Sequence, residues 1–239
     1  WLVRRSFESA FGASVSHSTN KFAWYGTTKR CATLSQTFVK TDLGSFNAHH
    51  YRYAPAMSTF LVECDAATWQ AYGFESKTIE QSQAICEQVF AATLDGHKLI
   101  SNKSVWRNFP WIWNENWSHE NMVLIGDALH SAHFSIGSGT RLAIEDAIAL
   151  TKALEAETTI PSALARYQAE RKPIVQKLVT AARTSADWYE HFPEHMKLDL
   201  MDFGYSYITR SGRIDDARLR AMSPAFMARY EASKTGSQA

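Results

Sequence analysis

The chain has 239 residues, 45% of them hydrophobic and 13% aromatic, which is enough for one large core or two small ones. Lys+Arg is 25 against 24 Asp+Glu, a formal net charge of +1, so the basic excess of a general nucleic-acid binder is absent. The three cysteines, Cys31, Cys64 and Cys86, are odd in number and far apart, which argues against a disulfide framework and for a reducing cytoplasm. No apolar run approaches the roughly 20 residues of a membrane span, and the opening has no signal-peptide pattern. Neither a nucleic acid nor a membrane is an expected partner. The chain starts on Trp1, mid-pattern, with "WLVRRSFESAFG", and reads as the later part of a longer polypeptide.

From Lys21 the pattern predicts strands. "KFAWYGTT", "ATLSQTFVK", "SFNAHHYRYA" and "STFLVEC" are short and rich in aromatic and β-branched residues. Turn-like "KTDLG" and "APAM" separate the later ones, so an antiparallel sheet is expected. Asp65 reads as the N-cap of "AATWQAYGF". "SKTIEQSQAICEQVFAATLDG" predicts a helix stopped near Gly96. "SVWRNFPWIW" predicts an aromatic strand whose Pro110 marks an edge or an end. "NMVLIGD" reads as a short buried strand. In the helix after it, Leu142, Ala143, Ile144, Ala147, Ile148 and Leu150 form one apolar face. A long helical region follows, capped by Thr158 or Thr159, with Pro161 in its first turn and Pro173 kinking or splitting it. The tail from Pro193 reads as helical in pieces, basic around Arg210, Arg213, Arg218 and Arg220.

The chemistry concentrates in "MVLIGDALHSAHFSIGSGTRLAIEDAIAL", Met122 to Leu150. A strand delivers Asp127 at its end, where layered α/β folds place ligands. Gly137 and Gly139 remove side chains where a backbone turns tightly or meets a ligand. Behind them a helix begins, and its free N–H groups and dipole favour an anion or an electron-rich ring edge. An Asp that accepts sugar hydroxyls beside a helix N-terminus is half of a nucleotide cofactor site. A capped strand–loop–helix without a ligand stays open as the other reading.

"GDALH" followed by "GSGTRLAIEDA" resembles the second flavin-binding motif of the single-component FAD-dependent aromatic hydroxylases, the group A flavoprotein monooxygenases. The narrower "HFSIGSGT", with "LDLMDFGYSYITRSGRIDDARLR", "KFAWYGT" and "STFLVE", is similar to the aryl-CoA hydroxylases, such as 2-aminobenzoyl-CoA monooxygenase and salicylyl-CoA 5-hydroxylase, and to the related tryptophan hydroxylase of violacein synthesis. The resemblance covers nearly the whole chain. It departs from the wider family at Phe134, Ser138 and Arg141, where Pro, Gln and Asn are common. The family's opening Gly-x-Gly-x-x-Gly is not found, and "LVRR" resembles the end of a motif, Asp-Gly-x-x-Ser-x-Val-Arg, that would begin before Trp1.

The resemblance implies an α/β (α+β) fold: an antiparallel substrate sheet, the C-terminal part of a Rossmann-like FAD-binding domain and a helical C-terminal region. The expected divisions are a link from a missing segment at 1–20, the substrate sheet at 21–115, the second half of the FAD-binding domain at 116–157 and the helical region at 158–239. It also implies that NAD(P)H reduces FAD, that a flavin C4a-hydroperoxide forms with O2, and that an aromatic ring is hydroxylated. The expected substrate is an aryl-CoA thioester, with free tryptophan or another free aromatic acid as the alternative. A flavin-free remnant or partner-binding subunit is the alternative of another class. FAD contacts fall to Gly126, Asp127, Gly137, Gly139, Thr140 and Arg141, the last three through backbone N–H groups. Phe134, Ser135, His49 and Tyr51 fall to the substrate pocket. No side chain is assigned a catalytic step, because the flavin carries the chemistry. A second copy of the chain is an optional partner, and this chain alone is expected to hold FAD weakly.

Other features read more plainly. His130 and His133, or His49 and His50, lack a carboxylate or Cys at zinc-site spacing, so no metal is expected. Alternation puts His49, Tyr51 and Tyr53 on one strand face and His50 and Arg52 on the other. Trp106, Trp111, Trp113 and Trp117 read as core. The tail arginines are either a CoA-phosphate contact or a solvated basic face. Glu145 and Asp146 read as acids placed early in a helix, with no catalytic part.

Overall fold

The computed structural model describes residues 2–236; Trp1, the first residue of the expected link, and the last three residues lie outside it. The chain divides into two compact units. One holds Ser18–Phe109 with Glu190–Met196, and the other holds the residues up to His17, Pro110–Tyr189 and those from Lys197 onward.

The first unit is built on a curled sheet. The strands are β1 (Ala13–Thr27), β2 (Ser35–Thr41), β3 (Gly44–Ala54), β4 (Met57–Cys64), β5 (Leu99–Ser101) and β6 (Arg107–Asn114), hydrogen-bonded in the order β2-β3-β4-β1-β5, with β6 also on β1; the start of β1 up to His17 and the end of β6 from Pro110 are counted with the other unit. The pairs β1–β4, β1–β5, β2–β3 and β3–β4 are antiparallel, as the closely spaced strand patterns predict. The register sets Tyr25 opposite Phe60, and Phe46 opposite Cys64. Alternate residues Ala23, Tyr25, Phe46, Ala48, Phe60 and Val62 therefore face one core, which Cys86, Phe90 and Leu94 close from the helical side. Short helices α1 (Leu2–Ser6) and α2 (Glu8–Phe11), which belong to the other unit, precede β1 in the chain. Three more lie in the sheet's long connection: α3 (Ala66–Ala71), α4 (Ile79–Val89) and α5 (Ala91–Leu94). Asp65 caps α3 by accepting the Thr68 N–H, and Thr78 and Gln81 form a reciprocal capping box on α4. All three cysteines are free and buried, and burial pushes the Cys86 thiol up to about 12, so it packs as a small apolar group.

The second unit is mostly helical. It contains α6 (Gly139–Ala156), α7 (Ile160–Glu190), α9 (Leu200–Thr209), α10 (Asp216–Met222) and α11 (Pro224–Gly236); the short α8 (Phe192–His195) belongs to the sheet unit. Phe11, Trp117, Leu124, Leu129, Leu142, Tyr167, Val175 and Val179 form its core. Trp117 is fully buried here, and Trp106 packs against the other core, as expected of the tryptophan-rich stretch.

Three expectations need correction. "NMVLIGD" is not a buried strand: only Met122–Val123 is extended, it pairs with Ser118–His119, and Ile125 is exposed. An extended run needs a neighbour for its backbone groups, and the chain instead turns at Gly126. Asp127 thus sits in a 3-10 turn, Gly126–Ala128, rather than at a strand end. In α6, Leu142 is buried with Asp146 and Ala153, while Ile144 and Ile148 are about half exposed, so the expected single apolar face is two faces. Pro173 does not split α7, which is continuous through it. Buried Tyr167 and Arg171 on one side and Val175 and Val179 on the other offset the roughly 3 kcal/mol that an interior proline costs. Thr159 does cap α7, accepting the Ser162 N–H.

Gly44 tests the sheet's first corner. Its φ is +148°, a Cβ would lie 2.1 Å from Thr68 Oγ1, and that hydroxyl accepts the Ser45 N–H. Gly44→Ala should lower stability by about 1–3 kcal/mol, read from chemical denaturation, whereas Gly96→Ala, with nothing within 4 Å, should cost less.

Candidate functional site

The site is built from a turn, a loop and a helix start in the helical unit. Gly126 adopts φ +57°, and a Cβ there would lie 3.0 Å from the Ala143 Cβ, so the turn seats directly on α6. The Gly126 carbonyl accepts the Leu129 and His130 N–H groups at 2.8 and 3.0 Å. Asp127 projects outward, exposed, and its carboxylate makes no hydrogen bond or ion pair among the described residues. The following loop is laced to β6: the Ser131 N–H donates to the Ile112 carbonyl, while the Ser131 hydroxyl accepts the Ile112 N–H and donates to the Pro110 carbonyl.

His133 then caps a second 3-10 turn, Phe134–Ile136, its Nδ1 accepting the Ser135 N–H at 3.3 Å. Gly137, at φ +59°, has open space around it, and Gly139 has only the Ala132 carbonyl at 4.0 Å. No side chain caps α6, and the Ser138 hydroxyl donates to the Ile136 carbonyl instead. The Gly139, Thr140 and Arg141 N–H groups therefore head an 18-residue helix without a side-chain acceptor. The Arg141 side chain turns along the helix to Glu145 at 3.4 Å, which leaves its backbone as the group offered at the helix start.

Behind the turn lies a buried charge cluster. Asp146 is fully buried. Its Oδ2 accepts the Gly126 N–H at 3.0 Å and His130 Nε2 at 2.8 Å, and its Oδ1 accepts Arg171 Nε at 2.9 Å. Arg171 also donates to the Leu142 carbonyl and pairs with Glu145 at 2.8 Å. Burial acts to raise the Asp146 pKa, but the His130, Arg171 and Gly126 bonds outweigh it and hold the carboxyl below its usual range. Asp146 is thus more than an acid placed early in a helix. His130, read as structural, is its partner.

Phe134 and Ser135 are held from the C-terminal helices. Ser135 is buried, and its hydroxyl bonds to the Ser185 hydroxyl at 2.8 Å. Arg210 donates to the Ser135 carbonyl at 3.0 Å and to the Ser185 hydroxyl at 3.1 Å, with its guanidinium over the Tyr207 and Tyr189 rings. The His133 ring stacks on Trp111 and abuts Phe134. Of the four tail arginines, Arg210 is this internal clamp and Arg220 is paired with Glu231. Arg213 and Arg218 are exposed.

His49 and Tyr51 belong to the sheet unit and are described with it. They share a face of β3, opposite to His50, which stacks on Phe60 in the core. His49 Nε2 meets Gln36 at 2.8 Å and lies 3.9 Å from the carboxylate of Glu63. Glu63 is 1% exposed and accepts Asn20 and Asn47 amides. Gln36, Asn47 and Glu63 were not singled out from sequence, although strand alternation and the pairing of Asn47 with Glu63 put all three beside His49. Arg4, in the "LVRR" stretch, is buried with Nε and Nη1 unpartnered among the described residues.

The Arg210 clamp is testable. Arg210→Lys keeps the charge but loses the planar fork that reaches Ser135 and Ser185 together. Faster hydrogen exchange at Ser135–Gly137 is expected in Arg210→Lys as well as in Arg210→Ala. Full protection in the lysine variant would show that charge alone holds the loop.

The family described as FAD binding domain matches residues 16–182. The chain is 37% identical to salicyloyl-CoA 5-hydroxylase of a Streptomyces species, over 95% of this chain and 46% of that protein. It is 38% identical to 3-hydroxy-4-methyl-anthranilyl-[aryl-carrier protein] 5-monooxygenase of Streptosporangium sibiricum, over 89% and 56%. It is 36% identical to protodeoxyviolaceinate monooxygenase of Chromobacterium violaceum, over 91% and 57%. The chain thus spans about half the length of the curated relatives it matches. Among solved structures, PqsL of Pseudomonas aeruginosa, a probable FAD-dependent monooxygenase, superposes with a TM-score of 0.57 at 21% identity, over 87% of this chain and 56% of that one, a likeness of fold. With more than half of its length matched by that one family, this chain belongs to the FAD binding domain family.

Proposed function

We propose that the chain is part of an FAD-dependent, NAD(P)H-consuming aromatic-ring hydroxylase that acts on an aryl thioester. The observation that carries this reading is the open cradle: an exposed, unpaired Asp127 and an uncapped α6 N-terminus in the same unit, with two unobstructed glycines, Gly137 and Gly139. These residues fit a flavin, because the donors are backbone N–H groups and the space beside them is free. When bound, FAD supplies electron transfer from NAD(P)H to O2 and delivery of one oxygen atom to the ring. The protein's part is placement and charge. The Gly139, Thr140 and Arg141 N–H groups, with the α6 dipole, would hold the flavin ring and stabilise negative charge on it. The Asp127 carboxylate would accept a hydrogen bond from a hydroxyl of the ribityl chain. Gly126 lets the turn sit against α6. Phe134 and Ser135 would border the flavin ring. In the sheet unit, taken by itself, the β3 face that carries His49 and Tyr51 is the proposed aromatic-binding surface.

The thioester class is supported by the relatives' names, which specify CoA in one case and an aryl-carrier protein in another. The similar protodeoxyviolaceinate monooxygenase, whose name specifies no thioester, supports a second reading, free tryptophan or another free aromatic acid. A flavin-free, partner-binding subunit is the reading that an absence of bound flavin would favour.

In the natural full-length protein, Asp127→Ala should weaken FAD binding about tenfold to a hundredfold, the worth of one charge-assisted hydrogen bond, with little change in the melting temperature of the flavin-free form. Unchanged FAD retention would remove Asp127 from the site.

Exposed Arg213 and Arg218 test the substrate class, because arginine binds phosphate through charge-assisted bonds. Arg213→Ala/Arg218→Ala should raise KM for an aryl-CoA several-fold at low salt and flatten its salt dependence, with substrate-free flavin reduction unchanged. Faster NAD(P)H oxidation with the free acid, insensitive to both changes, would favour the second reading.

A further inference from the structure

We propose that Asp146 is a positioning residue: its buried carboxylate fixes the Asp127-bearing turn and the first turn of α6 relative to each other. Only its consequence, that a flavin held by both elements depends on Asp146, rests on the FAD reading. Asp146 lies two turns into α6 and touches neither exposed group of the cradle. Its Oδ2 accepts the N–H of Gly126, the residue directly before Asp127. The same oxygen accepts His130 Nε2, at the far end of the turn. The turn is thus gripped at both ends by one oxygen atom of the helix that presents the uncapped N–H groups. Oδ1 is spent on Arg171, which also donates to the Leu142 carbonyl in the first turns of α6. Arg171 therefore braces the start of α6 and the carboxylate together from α7.

A buried ion pair is a weak source of stability, because desolvation offsets much of the attraction. What it supplies is geometric exactingness, since a buried charge tolerates few arrangements that leave it satisfied. Here that property falls on the joint between two elements whose outer ends stay free. A Cβ added at Gly126 would lie 3.0 Å from the Ala143 Cβ, so at the same joint the turn lies too close to α6 for a side chain. Glu145, Tyr167 and Trp117 complete the surroundings. Glu145 is partnered by Arg171 and Arg141, the Tyr167 hydroxyl by the Leu124 carbonyl, and the Trp117 ring lies against His130.

The test compares Asp146→Asn with Leu164→Ala, a buried substitution in α7 outside the cradle, in the natural full-length protein. Two readouts are taken: hydrogen exchange of the Gly126 amide and of the Leu142 amide, which donates to the Ser138 carbonyl at 2.9 Å, without flavin, and the FAD dissociation constant by fluorescence titration. Asp146→Asn should speed exchange at the Gly126 and Leu142 amides at least about tenfold, and weaken FAD about tenfold to a hundredfold. Leu164→Ala, at a comparable loss of melting temperature, should do neither. In the Asp127→Ala background, the FAD effect of Asp146→Asn should shrink, because part of it acts through Asp127. Wild-type exchange in Asp146→Asn, or equally faster exchange of these amides in Leu164→Ala, overturns the proposal. A wild type that takes up no FAD overturns the flavin reading, and the exchange comparison still decides whether Asp146 holds the joint.

Discussion

Arg171 reaches from the middle of α7 to Asp146 inside α6, and the arrangement of the helical unit depends on that ion pair. Neither group could be buried alone, since an unpaired charge in a low-dielectric interior costs several kcal/mol. Burying both, with every oxygen of Asp146 engaged, fixes the packing of α7 on α6 and the seat of the Gly126 turn at once. The apolar residues around it, Leu142, Tyr167 and Val175, supply most of the favourable free energy. They do so non-directionally, and the ion pair selects which of many compact packings is adopted.

The sheet unit shows the same division of labour. One face of β1, β3 and β4 is a plain hydrophobic core against α4 and α5. The other carries Asn20, Gln36, Asn47, His49 and Glu63, joined by amide and imidazole hydrogen bonds. A carboxylate as buried as Glu63 is affordable only because neutral amides satisfy it, so this face is polar yet internally bonded. The two faces differ by a single-residue offset along each strand, which is why His49 and His50 have unlike surroundings.

Much of this was legible in the residues. Strands β1 to β4 follow from aromatic and β-branched runs. The caps at Asp65 and Thr159 follow from local hydrogen-bonding chemistry, and the Gly-rich helix start follows from its motif. The failures share a cause: each depended on something distant in the chain. Whether "NMVLIGD" becomes a strand depends on a neighbouring strand, which local pattern does not reveal. Asp146 resembled any acid near a helix start because its partner Arg171 lies 25 positions away, and Arg210 resembled a surface arginine because Ser135 lies 75 positions away. Of the kink or split expected at Pro173, the split did not occur, because the burial on either side of it is tertiary.

The outward face of α6 carries a further consequence. Ile144 is 56% exposed and Ile148 is 49% exposed, one turn apart, with Leu154 exposed farther along, while the opposite face packs into the core. A helix that is apolar on two sides has the character of a middle layer rather than a surface one. Water ordered over such a stripe favours any contact that releases it. Ile144 and Ile148 thus join Leu34, Leu200 and Met222 among the exposed apolar side chains, with the difference that they share one face of a helix whose other face is core.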